Sequence, residues 1–494
     1  MRNPKSRKKR DDAASSLKSV EERSRSRTGR KSAPRDDEFS GRGRSLYGKP
    51  PRKGRGNDEF HGERRGGESF RFADRRDSRR DDSGRPQSPR PKGDAPSLFV
   101  KLLSSETGVD LISRSAGAEP LAMMKYSDEL AAKESSFRDY WVRACGGEGK
   151  VLPVIGSPRA RGYRTTSKRR AHPGRRVLLR ADEGNRFAEG CLLEPKEHAA
   201  IFASIESFIN EPINREISKR LNFAVIRGDY EHFCVIFNVD ALNAAVVKGY
   251  TKTAERLAAA YPGVTSAFLY YDPTRSKYYF DSTLPTDELR VKRLFGPKFL
   301  SAEAGGIEYS FAPTAFSQVN LSIAGKMLEA ARDLLAPQKG ARLFDLYCGY
   351  GFFSCFLAPL FDDVIGADYE RSSIDSAQHN ASKLRTGTRF TFHARKIDRR
   401  ELENILPNTG KPEYILLDPP RNGCAAGVIE TLASRAPVRV LHVFCGIDTI
   451  PRELKTWASK GYCPVKVQPL DMFPGTPNLE VMVLLEKKVV WRKR

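Results

Sequence analysis

The sequence lacks the long apolar segments and the clustered cysteines that mark several large classes of protein. It has no apolar run near the roughly 18 residues that a transmembrane helix needs, and its basic start, MRNPKSRKKR, has no apolar stretch behind it. Its eight cysteines are scattered and contain no CxxC pair, which argues against a disulfide scaffold. We therefore expect a reducing, cytoplasmic environment, no membrane and no obligate protein partner.

Acidic residues are also in short supply relative to basic ones. The 85 lysines and arginines exceed the 61 aspartates and glutamates, which leaves a formal net charge of +24. A polyanion is the natural partner of such a chain, because neutralising phosphates releases counterions. An anionic membrane surface is the main alternative, and without a membrane segment nucleic acid becomes the leading candidate.

The first 95 residues are dominated by Arg, Ser, Gly and Asp, a composition that cannot bury a core. They contain about 29 basic and about 16 acidic residues, so roughly half of the net charge lies there. We predict a disordered basic tail. It is either an RNA-binding arm or a solvated extension without a dedicated target.

Residues 96–308 are predicted to form an α+β RNA-recognition domain. Short β-rich runs such as FAVIR (223–227), HFCVIF (232–237) and AFLYY (267–271) alternate with helical patterns near 126–141, 196–210 and 240–260. The basic run from Arg159 to Arg170 includes a tyrosine and suits a surface that faces RNA, although a solvated face explains it equally well.

Residues 309–494 are predicted to form an α/β domain with a mostly parallel sheet. A helical pattern over 318–335 precedes apolar runs at 342–347, 364–368, 390–393, 414–418, 438–445 and 481–485, and helical segments separate most of them. In such a Rossmann-like fold, ligands bind outside the carboxyl ends of the strands.

The first of these runs enters a glycine turn, LFDLYCGYGFF (343–353), and the next ends in Asp368. Gly349 and Gly351 allow a tight turn and a close approach to a ligand, and the downstream acid can bind a ribose diol. A GxGxxG phosphate motif is missing. The pattern therefore favours a nucleoside cofactor such as S-adenosylmethionine over NAD.

Three later residues supply the chemistry. Asp418 ends an apolar run before two prolines, where it either faces the cofactor or caps a turn. Cys445 ends the next run immediately before a glycine, a position from which a thiolate could add to carbon 6 of a uracil. Glu480 leads the last run and could remove the carbon 5 proton, although alone it would more often be a solvent-facing edge residue.

Together these motifs resemble the uracil-C5 RNA methyltransferase family, which forms 5-methyluridine in transfer or ribosomal RNA. The resemblance covers residues from about 120 to 494 and is strongest from Phe316 onward. It implies Cys445 as the nucleophile and Glu480 as the proton acceptor. It also implies cofactor contacts from Gln318, Tyr347, Gly349, Gly351, Phe352, Asp368 and Asp418.

This chain departs from the family pattern at several positions. It has Tyr350 and Phe352 where the family commonly has NGN, and Gly446 where the family has the asparagine of CNP. Some relatives hold an iron-sulfur cluster through four cysteines. Only Cys191 matches that set here, so we predict neither a cluster nor any other metal.

Two other function classes stay open at this point. One is an exocyclic-amine methyltransferase, which needs no thiol and carries a DPPY or NPPY loop, whereas Arg421 follows the prolines here. The other is an RNA-binding paralogue with a degenerate cofactor site. Binding of S-adenosylmethionine would separate that paralogue from an enzyme.

Overall fold

The structure, a computed structural model, describes residues 96–113, 119–181, 191–280, 290–407 and 410–488. The predicted basic tail, residues 1–95, lies outside the described residues. The described chain contains an eight-stranded sheet, a six-stranded sheet and a two-stranded sheet. Each described helix is too short or too polar to cross a bilayer.

Helices and strands are numbered separately in chain order. The helices are α1 Leu98–Thr107, α2 Tyr126–Cys145, α3 Lys196–Ile209, α4 Arg215–Ser218, α5 Ala244–Ala260, α6 Leu321–Leu335, α7 Phe352–Leu357, α8 Arg371–Ser382, α9 Arg399–Ile405, α10 Val428–Ser434 and α11 Ile450–Ser459. The strands are β1 Lys150–Val151, β2 Ser167–His172, β3 Leu178–Arg180, β4 Leu221–Gly228, β5 Phe233–Val239, β6 Val264–Tyr271, β7 Val291–Phe295, β8 Leu300–Ala304, β9 Ile307–Phe311, β10 Arg342–Leu346, β11 Asp363–Asp368, β12 Arg389–Ala394, β13 Glu413–Leu417, β14 Arg439–Phe444, β15 Tyr462–Leu470 and β16 Glu480–Lys487.

The eight-stranded sheet has the order β1-β15-β16-β14-β13-β10-β11-β12. Its strands β14, β13, β10, β11 and β12 run parallel to one another, which confirms the predicted α/β domain. Strand β16 lies antiparallel between β14 and β15. The start of β16 therefore reaches the same sheet edge as the ends of the parallel strands.

Helices cover both faces of this sheet. One face packs against α6, α7 and α8 through residues such as Leu343 and Leu416. The other packs against α1, α2, α9, α10 and α11 through residues such as Phe344 and Ile415. Because consecutive strand residues alternate between faces, an almost wholly apolar strand is what a doubly covered sheet requires. Segments α1, α2 and β1 thus belong to the layers of the C-terminal sheet, and the division into domains at residues 308 and 309 stays a prediction.

The six-stranded sheet has the order β3-β2-β4-β5-β6-β7 and is antiparallel apart from the β5–β6 pair, which α5 connects. One of its faces packs against α3 and α5. The other joins the core around α6 and the β8–β9 hairpin. This arrangement confirms the α+β architecture predicted ahead of the cofactor fold.

Candidate active site

A thiol and two carboxylates meet at the carboxyl edge of the parallel strands. Cys445 follows β14 and Asp418 follows β13, and the Cys445 Sγ donates a hydrogen bond to the Asp418 Oδ1 at 3.2 Å. The antiparallel register pairs Phe444 with Val481. One residue further along, Cys445 comes opposite Glu480, and the charge of the Glu480 carboxylate acts on the thiol.

Burial controls the protonation of this group. It raises the pKa values of Glu480 and Asp418 above the ordinary carboxyl range, and nearby negative charges raise them further. Burial also raises the pKa of Cys445 well above its usual range, and the charges of Asp418 and Glu480 add to the effect. The free protein therefore holds a protonated thiol beside two carboxylates of raised basicity.

The glycine turn after β10 leaves its backbone open to a ligand. Tyr347, Gly349 and Gly351 have φ values of 67°, 53° and 82°, and only the glycines adopt this region without strain. The Gly349 N–H donates to the Asp368 Oδ2 at 3.0 Å, and the Glu370 N–H donates to Oδ1 at 2.9 Å. A Cβ placed on Gly349 would meet no atom within 4 Å, so the turn faces free space.

Asp345 is a further carboxylate at this edge that the sequence analysis did not single out. Its Oδ2 accepts a hydrogen bond from the Ser354 hydroxyl at 2.6 Å, whereas its buried Oδ1 has no hydrogen-bond partner among the described residues. Burial raises the pKa of Asp345 to about 7, and the charges of Asp418 and Asp368 contribute. A lone carboxylate inside the apolar run LFDLY was the available signal. Clustered carboxylates of this kind fit a cationic ligand such as a sulfonium with an α-ammonium group.

Gln318 lies in a buried loop that both sheets support. Arg227 of β4 donates to the Ser317 hydroxyl at 2.7 Å and to the Pro313 carbonyl. The Thr165 hydroxyl donates to the Gln318 carbonyl at 3.3 Å, and the Asn320 Nδ2 donates to the Met472 carbonyl at 3.1 Å. The loop that carries the predicted cofactor ligand is therefore held at several points.

Two predicted cofactor residues have other contacts. The Phe352 ring packs against Tyr309 and Phe353 in the core, and the Tyr309 hydroxyl donates to the Phe352 carbonyl at 2.8 Å. The Tyr347 hydroxyl hydrogen-bonds with Cys424. Cofactor contacts by Phe352 and Tyr347 stay predictions.

Cys424, His442 and Glu453 form a buried group beside this tyrosine. The His442 Nε2 lies 3.2 Å from the Glu453 Oε2 and 3.9 Å from the Cys424 Sγ, distances that also suit a metal site. However, the Trp457 Nε1 donates to the His442 Nδ1 at 3.2 Å. An indole N–H can only donate, so Nδ1 is the acceptor and the proton of a neutral imidazole sits on Nε2. We therefore interpret these three residues as a structural group that connects α11 to the loop after β13.

A cavity of about 510 Å³ opens beside Cys445, a volume within the range of small-ligand sites. Its walls come from the start of α1, from Arg421 and Asn422, from the turn at 445–449 and from residues 477–479. A Cβ on Gly446 would lie 2.8 Å from the Arg421 carbonyl oxygen. Gly446, which stands where the family has an asparagine, therefore lies at a position where the backbone leaves no room for a side chain.

Cys191 and part of the basic run have structural contacts. The thiol of Cys191 hydrogen-bonds to the Glu119 carboxylate, and burial raises its pKa. Arg161 donates to four backbone carbonyls and to Glu129, and Arg169 pairs with the Glu194 carboxylate at 2.6 Å. For these two arginines, internal anchoring replaces the predicted RNA-facing role.

Comparison with known proteins shows which family this chain resembles. Residues 287–488 match the family described as tRNA (uracil-5-)-methyltransferase. An uncharacterized RNA methyltransferase of Geobacter sulfurreducens is 36% identical over 191 residues, which are 38% of this chain and 38% of that protein. The 23S rRNA uracil-C5 methyltransferase RlmD of Vibrio parahaemolyticus is 34% identical over 202 residues, 41% of this chain and 45% of its own length. The chain thus spans less than half the length of these two relatives.

A solved structure supports the fold. The tRNA (uracil-54, C5)-methyltransferase of Pyrococcus abyssi, in complex with S-adenosyl-L-homocysteine, superimposes with a TM-score of 0.57 at 21% identity. The superposition covers 74% of this chain and 85% of that one, so the two proteins share a fold. Through residues 287–488, this chain is thus similar to the uracil-C5 RNA methyltransferase family.

Proposed function

We propose that this protein is an S-adenosylmethionine-dependent RNA methyltransferase that methylates carbon 5 of a uridine in transfer or ribosomal RNA through a covalent adduct with Cys445. The observation that carries the proposal is the convergence of the Cys445 thiol with the carboxylates of Asp418 and Glu480 at one sheet edge. An exocyclic-amine methyltransferase has no use for that thiol.

The residues at the turn are suited to hold the methyl donor. Asp345, Asp368 and Asp418 supply negative charge, Gly349 leaves space for the ligand, and Gln318 sits on a loop braced from both sheets. When bound, S-adenosylmethionine supplies an electrophilic methyl group. Its positive charge would favour the ionised forms of the neighbouring carboxylates.

The proposed reaction begins at Cys445. As Sγ bonds to carbon 6 of the uracil, its proton passes to the Asp418 carboxylate that it already contacts, and the π electrons of the ring move onto the carbon 4 oxygen. Carbon 5 would then take the methyl group, and the bond from that group to the sulfonium sulfur would break to leave S-adenosylhomocysteine. Glu480 removes the remaining proton from carbon 5, the double bond returns, and Sγ leaves carbon 6 as a thiolate that is reprotonated.

The uridine would enter the cavity beside Cys445 after it is flipped out of its stack. A larger cavity of about 640 Å³ between α9 and α10 is not lined by Cys445, whereas the smaller cavity is, so we place the base in the smaller one. Contacts from the six-stranded sheet and the basic tail to the RNA backbone belong to the same proposal. The cytoplasmic localisation and the absence of a metal also stay predictions.

The test uses RNA in which uridine is replaced by 5-fluorouridine. Fluorine cannot be removed as a proton, so the adduct should persist as a protein–RNA complex that survives denaturing electrophoresis. Cys445→Ala should abolish both this complex and methyl transfer to normal RNA. Cys463→Ala, a half-buried cysteine of β15, serves as the matched control and should retain both.

Three outcomes contradict the proposal in different ways. Methyl transfer by Cys445→Ala would exclude the covalent route. Methylation of an exocyclic amine would assign the other enzyme class. Binding of RNA and S-adenosylmethionine with neither methylation nor trapping would identify a binding protein. Mass spectrometry of nucleosides from transfer and ribosomal RNA of cells that lack the protein would identify the target pool.

A further inference from the structure

Residues far away in the sequence hold the loop that leads to Glu480. We call residues Asp471–Leu479, between β15 and β16, the 471–479 loop. The Met472 carbonyl accepts from the Asn320 Nδ2 at 3.1 Å, and the Pro474 carbonyl accepts from the Tyr163 hydroxyl at 3.0 Å. The Gly475 carbonyl accepts from the Leu121 N–H at 3.0 Å. The backbone of the loop is therefore fixed from outside its own strands.

The centre of this support is a group of three buried charged residues, Glu129, Lys133 and Asp471, which we call the buried clamp. The Lys133 Nζ lies 2.8 Å from the Glu129 Oε1 and 2.8 Å from the Asp471 Oδ1, and all three side chains are fully buried. The same Nζ donates to the Phe473 carbonyl at 3.3 Å. The Glu129 Oε1 also accepts from the Gly475 N–H at 2.5 Å.

Burying these charges is costly unless each of them is paired and hydrogen-bonded. Apolar residues of similar volume often fill such a space with equal or greater stability, so packing alone does not explain the choice of charges. Charged groups add directional bonds to the loop backbone, and such bonds fix a position more tightly than apolar contacts do. The clamp therefore specifies where the loop lies.

We propose that the buried clamp positions the Glu480 carboxylate for removal of the carbon 5 proton, with Lys133 as its central positioning residue. This inference rests on the proposed function. The loop runs directly into Glu480, so a shift of the loop moves the base relative to Cys445 across the β14–β16 pair. Proton transfer depends steeply on such distances. Cys445 and Asp418, which act in the earlier steps, follow β14 and β13 and share no hydrogen bond with the clamp among the described residues, whereas residues 477–479 of the loop also line the cavity proposed for the base.

The test compares two variants of helix α2. Lys133→Met removes the central charge of the clamp. Turnover should fall at least about tenfold, and the methylated Cys445–RNA adduct should accumulate, because elimination slows more than methyl transfer. Affinity for S-adenosylhomocysteine should stay within about twofold of the wild type. Arg143→Met breaks another acid–base pair of α2, with the exposed Asp139, and should leave turnover and adduct fraction unchanged.

Glu129→Gln is the second variant, in case Lys133→Met does not fold. It keeps the shape of the side chain and should give a smaller shift in the same direction. The inference is overturned if the folded variants turn over like the wild type, or lose turnover without a rise in adduct fraction. Trapping of wild-type protein on 5-fluorouridine RNA separates the two proposals. If no complex is trapped, the covalent function itself fails. If the complex is trapped but the adduct fraction of the variants does not change, only the proposed role of the clamp fails.

Discussion

The Asp418 Oδ1 lies 3.2 Å from the Cys445 Sγ, and the negative charge of this carboxylate helps to keep the pKa of the thiol well above its usual range. The thiol is therefore protonated and weakly reactive in the free protein. The reactivity of the thiol depends on the charges of Asp418 and Glu480. A measurement of that reactivity therefore reports on the electrostatics of the site.

Asp418→Asn should make Cys445 more reactive. Removing the charge lowers the pKa of the thiol, and alkylation by iodoacetamide at pH 8 should rise about tenfold for each pKa unit lost. Mass spectrometry of the peptide that contains Cys445, after alkylation at several pH values, measures the rate of alkylation. Asp375→Asn, at an exposed pair with Arg371, should have no effect. Slower alkylation in Asp418→Asn would show that the hydrogen bond favours the thiolate instead.

Binding of S-adenosylmethionine should release protons. Burial raises the pKa of Asp345 to about 7 and the pKa values of Asp418 and Glu480 above the ordinary range, so part of this group is protonated near pH 6.5. A sulfonium charge nearby drives ionisation, whereas S-adenosylhomocysteine has a neutral sulfur. Calorimetry in buffers of different ionisation enthalpy should give a larger release for the charged ligand. Equal release would place the sulfonium away from the carboxylates.

Glu480→Gln should stabilise the protein at high pH. The folded state keeps a proton on Glu480 at pH values where the unfolded chain has lost it, so wild-type stability falls as pH rises from the ordinary pKa of 4.5 to the raised folded value. The variant avoids this loss and should gain up to about 1.4 kcal/mol per pH unit in that window. Urea unfolding at pH 5 and pH 8 measures the gain. Glu308→Gln, an exposed position, should show none, and a pH-independent difference for Glu480→Gln would contradict the raised pKa.

Restoring the asparagine of the family pattern at Gly446 should be harmful here. A Cβ at this position would lie 2.8 Å from the Arg421 carbonyl, so Gly446→Asn forces the backbone after Asp418 to move. We expect a loss of about 1–3 kcal/mol in the free energy of unfolding, typical of overpacking. Gly387→Asn, with no atom within 4 Å of its Cβ position, is the control. Improved activity at unchanged stability would show that the loop adapts readily.

Much of the C-terminal sheet could be predicted because its parallel strands are continuous apolar runs. Each predicted run from 342 to 485 contains a strand, with ends that differ by one or two residues. The meeting of Cys445, Asp418 and Glu480 follows from the same logic, since strand ends share an edge. Asp345 was overlooked because its strand was assessed for its glycine turn rather than for the carboxylate inside it.

Other features were not predictable from local patterns. Strand β15 contains Pro464, Pro469 and Lys466, which lower its strand propensity, and it forms because β16 and β1 pair with it. Lys133 lies in a predicted amphipathic helix, where a lysine is expected in solvent. Its burial depends on Asp471, 338 residues later, and a contact of that range leaves no periodic signal.

The clamp also limits how the enzyme can be divided. A fragment cut to the family match, 287–488, would contain Cys445 and Glu480 but neither Glu129, Lys133 nor Tyr163. The Phe473 carbonyl would lose the Lys133 donor, the Pro474 carbonyl would lose the Tyr163 donor, and Asp471 would lose its counter-ion. Chimeras that exchange only residues 287–488 between relatives would therefore inherit Cys445 and Glu480 without the residues that we propose to set the spacing between them.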